Sequence, residues 1–179
     1  MRLLSERSGP DTSGWKTYAA TTIATVATAA AGSAAVDADS AWYRSLSKPS
    51  WQPPSWAFGV VWTSLYASLA WATGRALNNA PPGERTPLAA STAVNLIVNG
   101  AWNWLFFRKQ SPAAGLLATL ALDVSNVQLI GRVVRADKTA ALALLPYAAW
   151  CVFATALNAE LAERNCSRRG GREKGPAPL

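Results

Sequence analysis

Histidine is absent from this chain of 179 residues, and methionine occurs only once. Without an imidazole the chain can form no Ser-His-Asp triad, no histidine-ligated zinc site and no axial haem histidine. Its two cysteines, Cys151 and Cys166, are too few for the disulfide framework of a small secreted domain. The composition therefore excludes histidine-based catalysis and folds held together by disulfides, and it offers no metal site.

Charge is also scarce, because only 15% of the residues are charged while half are hydrophobic and nine are tryptophan. The formal net charge is +7, which by itself would fit a nucleic-acid partner. However, the basic residues form short runs between apolar blocks, as they do in the loops of membrane proteins. We therefore expect membrane lipid, and no nucleic acid, around this chain.

Five apolar stretches, each of at least 21 residues, contain at most two charged side chains. About 20 helical residues cross a hydrocarbon core of ~30 Å, so each stretch is long enough to span a membrane. The sequence predicts an all-α fold, an integral membrane bundle of five transmembrane helices. The predicted spans are 15–36, 53–77, 87–107, 112–134 and 139–159.

The connections agree with this division. Asp37–Pro54 is the longest loop, and Asn78–Thr86 contains the helix breaker Pro81-Pro82-Gly83. Arg108–Ser111 and Arg135–Lys138 are tight, so the helices that they join are expected to be antiparallel neighbours. The predicted organisation is a polar tail over 1–14, the five-helix domain over 15–163 and a basic, disordered tail over 164–179.

The first span is the least hydrophobic, being made mostly of alanine and threonine. Ala31–Ala35 resembles a signal-peptidase site, and cleavage there would leave four spans. The lack of a leucine-rich core favours a retained helix suited to close packing. Lysine and arginine divide eight to nine between the two predicted faces, so the positive-inside rule leaves the orientation open.

The loop before the second span is stiff and aromatic. Pro49, Pro53 and Pro54 fix the backbone between Trp51 and Trp56, so this loop could cover the mouth of the bundle. The alternative is an aromatic belt at the membrane interface, which we favour for Trp42, Trp56 and Trp71. A belt does not explain Trp62, which lies well inside its span.

Three of the predicted helices each present aromatic and amide groups on one face. An amide at membrane depth is costly unless it is paired, so these faces must meet protein, a cavity or a ligand. Interhelical hydrogen bonds that serve only packing are the alternative for any single residue. The faces are Phe58, Gly59, Trp62 and Tyr66; Asn95, Asn99, Trp102, Asn103 and Phe106; and Tyr147, Trp150, Ala154, Leu157 and Asn158.

A pocket between such faces suits a large, planar and mostly apolar ligand, such as a tetrapyrrole or a sterol. Asp123 is the one acid at depth in these spans, either protonated or paired with Asn126, Gln128 or another amide. A proton relay through a single acid is a thin basis for a transporter.

These residues also form an ordered set of motifs from about Gly14 to Asn165. The chain resembles the TspO/MBR family, the tryptophan-rich sensory proteins whose animal members are called translocator protein or peripheral benzodiazepine receptor. The matching pieces are Gly32-Ser33, Trp42-Tyr43, Leu46-x-Lys48-Pro49-x-Trp51-x-Pro53-Pro54-x-Trp56, Trp62-x-x-Leu65-Tyr66, Asn99-x-x-Trp102, Phe106-Phe107, Pro146-Tyr147-x-x-Trp150 and Leu157-Asn158.

The resemblance implies a five-helix membrane protein, usually a homodimer, that binds protoporphyrin IX or another tetrapyrrole as a ligand and requires no cofactor. Some bacterial members are described as promoting light- and oxygen-dependent porphyrin breakdown, which would make Trp62 and Trp150 redox or photochemical residues. With Tyr66 and Phe106 added from the aromatic faces and Trp51 in the lid, the expected ligand-binding residues are Ser33, Trp51, Phe58, Gly59, Trp62, Tyr66, Asn99, Trp102, Phe106, Tyr147, Trp150, Ala154 and Leu157.

Two departures from the family pattern bear on the ligand. The animal sterol motif requires a tyrosine shortly after Leu157-Asn158, and 159–164 contains none, which argues against sterol binding. Animal members carry an aromatic residue early in the fourth helix where this chain has Ala114, so one pocket wall is expected to be thinner.

Three classes of function remain open at this point: a tetrapyrrole sensor, a transporter of porphyrin or another apolar metabolite, and a scaffold whose pocket is incidental. Small residues at Ala20-Ala24-Thr28-Gly32 and Ala89-Ala93 are candidate dimer contacts, although the first run would equally serve packing inside the bundle. We expect the bacterial cytoplasmic membrane, with the mitochondrial outer membrane as the alternative.

Overall fold

Helices account for all the regular secondary structure in residues 14–172, which the computed structural model describes, with side chains described as far as residue 165. No strand occurs in this range, so the predicted all-α class is confirmed. Of the predicted tails over 1–14 and 164–179, residues 1–13 and 173–179 lie outside the described residues. The helices are α1 (Gly14–Ser33), α2 (Ala41–Ser45), α3 (Ser55–Asn79), α4 (Pro82–Asn103), α5 (Pro112–Ala136) and α6 (Lys138–Arg172).

Two of these helices are long and apolar enough to cross a membrane by length and composition alone. They are α5 and the part of α6 over Lys138–Asn165. The other long helices, α1, α3 and α4, do not meet the same condition, because alanine, threonine and polar side chains dilute their apolar residues. The count of five spans therefore stays a prediction.

The long helices pack side by side, so that the chain ends and connections gather at two ends of the bundle. At one end, which we call the proline end, Asn78 Nδ2 donates to Gly14 O over 3.1 Å and Arg75 Nε donates to Asp137 Oδ2 over 2.8 Å. At the other, the loop end, Arg108 Nη2 donates to Ala34 O over 3.1 Å.

Two predicted boundaries are wrong. The break at Pro81-Pro82-Gly83 is shorter than expected, because Pro82 begins α4, where a missing backbone N–H costs nothing, and Pro87 lies inside the helix. The C-terminal tail is not irregular from 164 onward, since α6 continues through Arg172. A Glu160–Arg164 ion pair one turn apart stabilises the helix at the point where this extension begins.

The connection after α1 holds the short helix α2, which the sequence analysis missed. Ser40 caps it, since its hydroxyl accepts a hydrogen bond from Tyr43 N over 3.2 Å. Asn165 Nδ2 on α6 donates to Ser47 O, and Asn165 Oδ1 accepts from Ser47 N over 2.9 Å. These contacts hold the proline-rich loop against the end of α6.

Helix α1 is packed too closely to its neighbours for larger side chains. A Cβ at Gly74 of α3 would lie 2.7 Å from Tyr18 Cδ1, and one at Gly32 would lie 2.7 Å from Asn103 Nδ2. Thr28 packs in the same way on Gly100, where a Cβ would lie 3.3 Å from Thr28 Cγ2. Thr28 and Gly32 of the small-residue run therefore serve packing within the bundle.

At the proline end, Asp137 joins three elements through one carboxylate. It caps α6 by accepting from Ala140 N over 2.8 Å, and it also accepts from Asn79 Nδ2 and Arg75 Nε. The backbone hydrogen bond from Ala140 is the main cause that lowers the pKa of Asp137, with Asn79 and Arg75 adding to it. The charged carboxylate therefore stabilises the folded state.

We expect this contribution to be lost in acid. Because the folded pKa is lowered, the stabilisation is complete above the unfolded pKa of about 3.9 and disappears as pH falls through the folded value. Thermal unfolding in detergent, followed from neutral pH into acid, should show a steeper loss for the wild type than for Asp137→Asn. The exposed carboxylate of Asp39 offers a matched control, and equal profiles for all three proteins would contradict the prediction.

Candidate functional site

A cavity of about 480 Å³ lies among the long helices, beneath the connection from α1 to α3. Its volume falls within the roughly 300–1,000 Å³ typical of small-molecule sites. Its walls come from all five long helices, and its upper edge from the loop. The lining residues include Ala29, Ser33, Val36, Tyr43, Gln52, Phe58, Gly59, Trp62, Tyr66, Asn99, Trp102, Asn103, Phe106, Phe107, Thr119, Leu122, Trp150, Cys151, Ala154, Leu157, Asn158 and Leu161.

The structure brings the predicted site residues together, with two exceptions. Trp51 does not line the cavity but packs edge-on against Phe153 of α6, with ring centroids 5.7 Å apart. Tyr147 lies behind the wall with only 1% of its surface exposed. The other predicted residues line this one cavity: Ser33, Phe58, Gly59, Trp62, Tyr66, Asn99, Trp102, Phe106, Trp150, Ala154 and Leu157.

Aromatic rings brace one another around the cavity. On the α3 side, Trp62 packs on Tyr66 with centroids 5.3 Å apart, and Phe58 meets Trp150 of α6 at 5.9 Å. Such pairs add about 0.5–1.5 kcal/mol each beyond the area that they bury. The rings therefore form a pre-shaped apolar wall.

A wide helical turn positions the opposite wall. Helix α4 continues into a π-helical turn over Trp104–Arg108, and this turn directs Phe106 inward, where 2% of it is exposed. Phe106 stacks on Trp102 at 5.3 Å with the two planes 17° apart. A Cβ at Gly115 of α5 would lie 2.7 Å from Phe106 Cδ2, so only glycine leaves room for this ring.

The mouth of the cavity carries a tyrosine between two polar side chains. Gln52 Nε2 donates to the Tyr43 hydroxyl over 3.2 Å, and Lys48 Nζ lies 3.7 Å from the centroid of the same ring. Burial raises the pKa of Tyr43, against the smaller opposing effect of Gln52, and burial lowers the pKa of Lys48. The mouth therefore offers a cation beside an uncharged phenol.

Two polar atoms in the cavity wall are buried without a hydrogen-bond partner among the described residues. They are the donor Trp150 Nε1 and the acceptor Gln52 Oε1. Leaving such an atom unsatisfied costs about 1–3 kcal/mol, so each favours a ligand that completes its hydrogen bond. The wall thus combines apolar surface with one free donor and one free acceptor.

Five side chains form a continuous hydrogen-bonded chain along one side of the cavity, and we call this chain the floor. Tyr66 OH donates to Asn99 Oδ1 over 2.6 Å, and Asn99 Nδ2 donates to Tyr147 OH over 3.0 Å. Tyr147 OH donates to Asn95 Oδ1 over 2.8 Å, and Asn95 Nδ2 donates to Asn126 Oδ1 over 2.7 Å. Tyr147 therefore holds the floor in place instead of meeting a ligand directly.

Asp123 lies outside this chain and outside the cavity lining. Its Oδ2 accepts from Thr155 Oγ1 over 2.6 Å, and its Oδ1 is buried without a partner among the described residues. Of the alternatives left open by the sequence, pairing with Asn126 or Gln128 is not found, because a hydroxyl on α6 faces the carboxylate instead. Nothing links Asp123 to the cavity through the hydrogen bonds of the described residues.

The α5 wall and part of the loop are not among the site residues predicted from the sequence. Thr119 and Leu122 lie on the inner face of α5, four and seven residues after Gly115, a helical spacing that could have identified them. Gln52 and Tyr43 carried no signal beyond their place in the aromatic loop. Asn158 was noted for its spacing, and here it accepts from Trp102 Nε1 over 3.2 Å.

Comparison with known proteins bears directly on what this cavity is. The model of the TspO/MBR family matches residues 19–164, which is most of the chain. The chain belongs to the TspO/MBR family. The match covers all five walls of the cavity and the proline-rich loop above it.

Similar TspO/MBR proteins come from bacteria and animals. The chain is 35% identical over 137 residues to tryptophan-rich protein TspO of Chlorobaculum tepidum, covering 75% of this chain and 87% of that protein. It is 36% identical to protein CrtK of Rhodobacter capsulatus, covering 74% and 84% of the two chains. Human translocator protein is 32% identical, with 73% and 79% covered.

The TspO/MBR family and the two apolar helices together identify a membrane protein. Among the described residues no group of three or more acidic, cysteine or histidine side chains could hold a metal ion. The cavity walls combine stacked rings, amides and hydroxyls.

Proposed function

We propose that this protein is a membrane sensor that binds a tetrapyrrole of the protoporphyrin IX type in the cavity between its helices. The observation that carries the proposal is the aromatic cavity itself. Trp62, Trp102 and Trp150 stand on three different helices and face the same space of about 480 Å³. Flat rings at van der Waals distance suit a flat, apolar macrocycle better than a sugar or nucleotide, which would need more hydrogen bonds.

The polar groups of the cavity fit the edge of such a ligand. A propionate group is an anion and an acceptor, and it can reach Lys48 at the mouth or Trp150 Nε1 in the wall. The macrocycle face would then lie against apolar rings, while its charged edge stays near the loop end. No further cofactor is required by this arrangement.

Binding is favoured over transport because the cavity has a closed floor. The hydrogen-bonded chain from Tyr66 to Asn126 fills the space between α3, α4, α5 and α6 below the ligand. A transporter would need a second opening through this floor. The transport alternative would therefore require several buried hydrogen bonds to break at once, at about 1–3 kcal/mol each.

The relatives support the sensory part of the proposal. One bacterial relative is named tryptophan-rich sensory protein, at 31% identity over 127 residues. By the same analogy, we propose five membrane-spanning helices, a homodimer and a location in the bacterial cytoplasmic membrane. The sterol alternative is disfavoured because the residues after Asn158 lack the tyrosine of the animal motif.

We further propose that Trp62 and Trp150 take part in light- and oxygen-dependent breakdown of the bound porphyrin. Their indoles lie in the cavity wall, where an excited macrocycle or the reactive oxygen that it generates would meet them first. Dioxygen is the oxidant and light the source of energy, so the step needs no metal or acid–base pair.

The test is a titration of the detergent-purified protein with protoporphyrin IX in the dark, followed by tryptophan quenching. A Trp62→Phe/Trp150→Phe variant should bind about 10-fold or more weakly, corresponding to at least ~1.4 kcal/mol, because it loses wall area and the Trp150 donor. The matched control is Trp56→Phe/Trp71→Phe, which removes two tryptophans that do not line the cavity and should bind as the wild type does.

For each of these measurements one result would contradict the proposal. No saturable binding by the wild type would reject the tetrapyrrole proposal and favour a scaffold role. Equal weakening in both double variants would show that quenching reports nonspecific partitioning. Under light, loss of the porphyrin absorption bands in the wild type and the control, but not in Trp62→Phe/Trp150→Phe, is expected; binding without spectral change would leave a sensor without photochemistry.

A further inference from the structure

A second, smaller cavity of about 170 Å³ lies at the proline end, away from the aromatic cavity. It is formed where α3 ends, α4 begins and α5 ends. Its walls combine apolar side chains with two arginines and one glutamate. They are Ala80, Pro81, Glu84, Leu88, Arg132, Arg135 and Ala136.

The two arginines line this cavity, and neither forms an ion pair with a carboxylate of the described residues. Arg132 Nε is buried and has no hydrogen-bond partner among the described residues. The other arginines at this end are engaged, since Arg75 Nε bonds Asp137 and Arg85 Nε donates to Ala80 O over 3.0 Å. Arg132 and Arg135 are the guanidinium groups left for an external acceptor.

A phosphodiester is the acceptor that this geometry suits. Guanidinium groups bind phosphate oxygens through paired N–H donors, and a buried N–H without an acceptor costs about 1–3 kcal/mol. Arg132 and Arg135 are three residues apart on α5, so they lie on the same side of the helix. The end of a membrane-spanning bundle is also where lipid headgroups are found.

Glu84 restricts the class of anion that this cavity suits. Its carboxylate lines the same cavity, so the charge there is one net positive unit from two guanidinium groups and one carboxylate. A phosphodiester carries one negative charge and neutralises this cavity, whereas a phosphate dianion would leave it with a net negative charge. A hydroxyl on the headgroup could donate to the glutamate.

We propose that Arg132, Arg135 and Glu84 form a binding site for an anionic phospholipid with a hydroxyl-bearing headgroup, such as phosphatidylglycerol. The phosphodiester contacts the two guanidinium groups, and the headgroup hydroxyl donates to Glu84. The site does not depend on what occupies the aromatic cavity.

The experiment is native mass spectrometry of the delipidated, detergent-solubilised full chain with added phosphatidylglycerol or phosphatidylcholine. We expect the wild type to bind phosphatidylglycerol at least 10-fold more tightly than phosphatidylcholine. Arg132→Gln/Arg135→Gln should lose this preference. The matched control is Arg44→Gln/Arg164→Gln, which changes the net charge equally at the loop end and should keep the preference. Helix content by circular dichroism verifies that each variant is folded.

A second variant tests the site without removing an arginine. Glu84→Gln should keep phosphatidylglycerol binding and allow inorganic phosphate to compete with it, because the cavity then carries two positive charges, which a dianion neutralises. Competition by inorganic phosphate in the wild type would assign the site to a free anion and overturn the lipid proposal. So would a wild type that does not distinguish the two lipids, or equal loss of preference in both arginine double variants.

Discussion

Gly59→Trp is expected to abolish porphyrin binding while leaving the helical bundle intact. Gly59 lines the cavity between Phe58 and Trp62, and a Cβ at this position would meet nothing within 4 Å. An indole at this position can therefore extend into the cavity without displacing the neighbouring protein atoms. We expect affinity for protoporphyrin IX to fall by at least 100-fold, or ~2.7 kcal/mol, since the macrocycle and the new side chain cannot share the cavity.

Gly131→Trp is the matched control for this substitution. Gly131 also lies within a long helix with no atom within 4 Å of an added Cβ, but it does not line the cavity. Tryptophan has a higher helix propensity than glycine, by about 0.5 kcal/mol in either position, so neither variant should unfold more easily than the wild type. Tryptophan quenching should separate them, and full binding by Gly59→Trp would place the ligand outside this cavity.

Tyr147→Phe is expected to destabilise the fold by about 2–4 kcal/mol, because one hydroxyl supports two buried amides. Its removal leaves Asn95 Oδ1 without its donor and Asn99 Nδ2 without its acceptor. Both amides are buried, with 0% and 3% exposed, so water cannot replace the lost partner without opening the core. The loss should appear as a lower midpoint of thermal unfolding in detergent.

Tyr18→Phe is the control, because it removes a tyrosine hydroxyl that is not part of the hydrogen-bonded floor. The structure gives the Tyr18 hydroxyl no hydrogen bond among the described residues, and its ring packs on Gly74 in either protein. We expect Tyr18→Phe to unfold within about 0.5 kcal/mol of the wild type. An equally small effect of Tyr147→Phe would show that the two amides find other partners.

The inner faces of α3, α4 and α6 were predictable because membrane depth makes polar and aromatic side chains conspicuous. Asn95 and Asn99 had to be paired, and in the structure both are. The same reasoning brought Trp62 and Trp150 to one cavity from positions far apart in the chain. Whether these residues bind a ligand stays a prediction.

Other features depend on contacts that helical spacing does not encode. Tyr147 follows the same period as Trp150, yet it turns into the floor because two amides are within its reach. The lid residue Trp51 meets Phe153 instead of the cavity because the pairing of Ser47 with Asn165 fixes where the loop lies. The α5 wall begins at Gly115, which carries no side chain to mark it, and its packing on Phe106 and Asn158 shows that it faces inward.

The hydrogen bonds of the floor also all run in one direction. Every proton along it, from Tyr66 through Asn99, Tyr147 and Asn95, is given toward Asn126 on α5. No single link can be reversed, because turning one amide would set donor against donor on one side and acceptor against acceptor on the other. Tyr66 lines the cavity, and because its hydroxyl proton is donated to Asn99 Oδ1, its oxygen can act there only as a hydrogen-bond acceptor. Between two ligands of equal shape, we therefore expect the floor to favour the one that brings an N–H donor to Tyr66 over the one that brings a carbonyl oxygen.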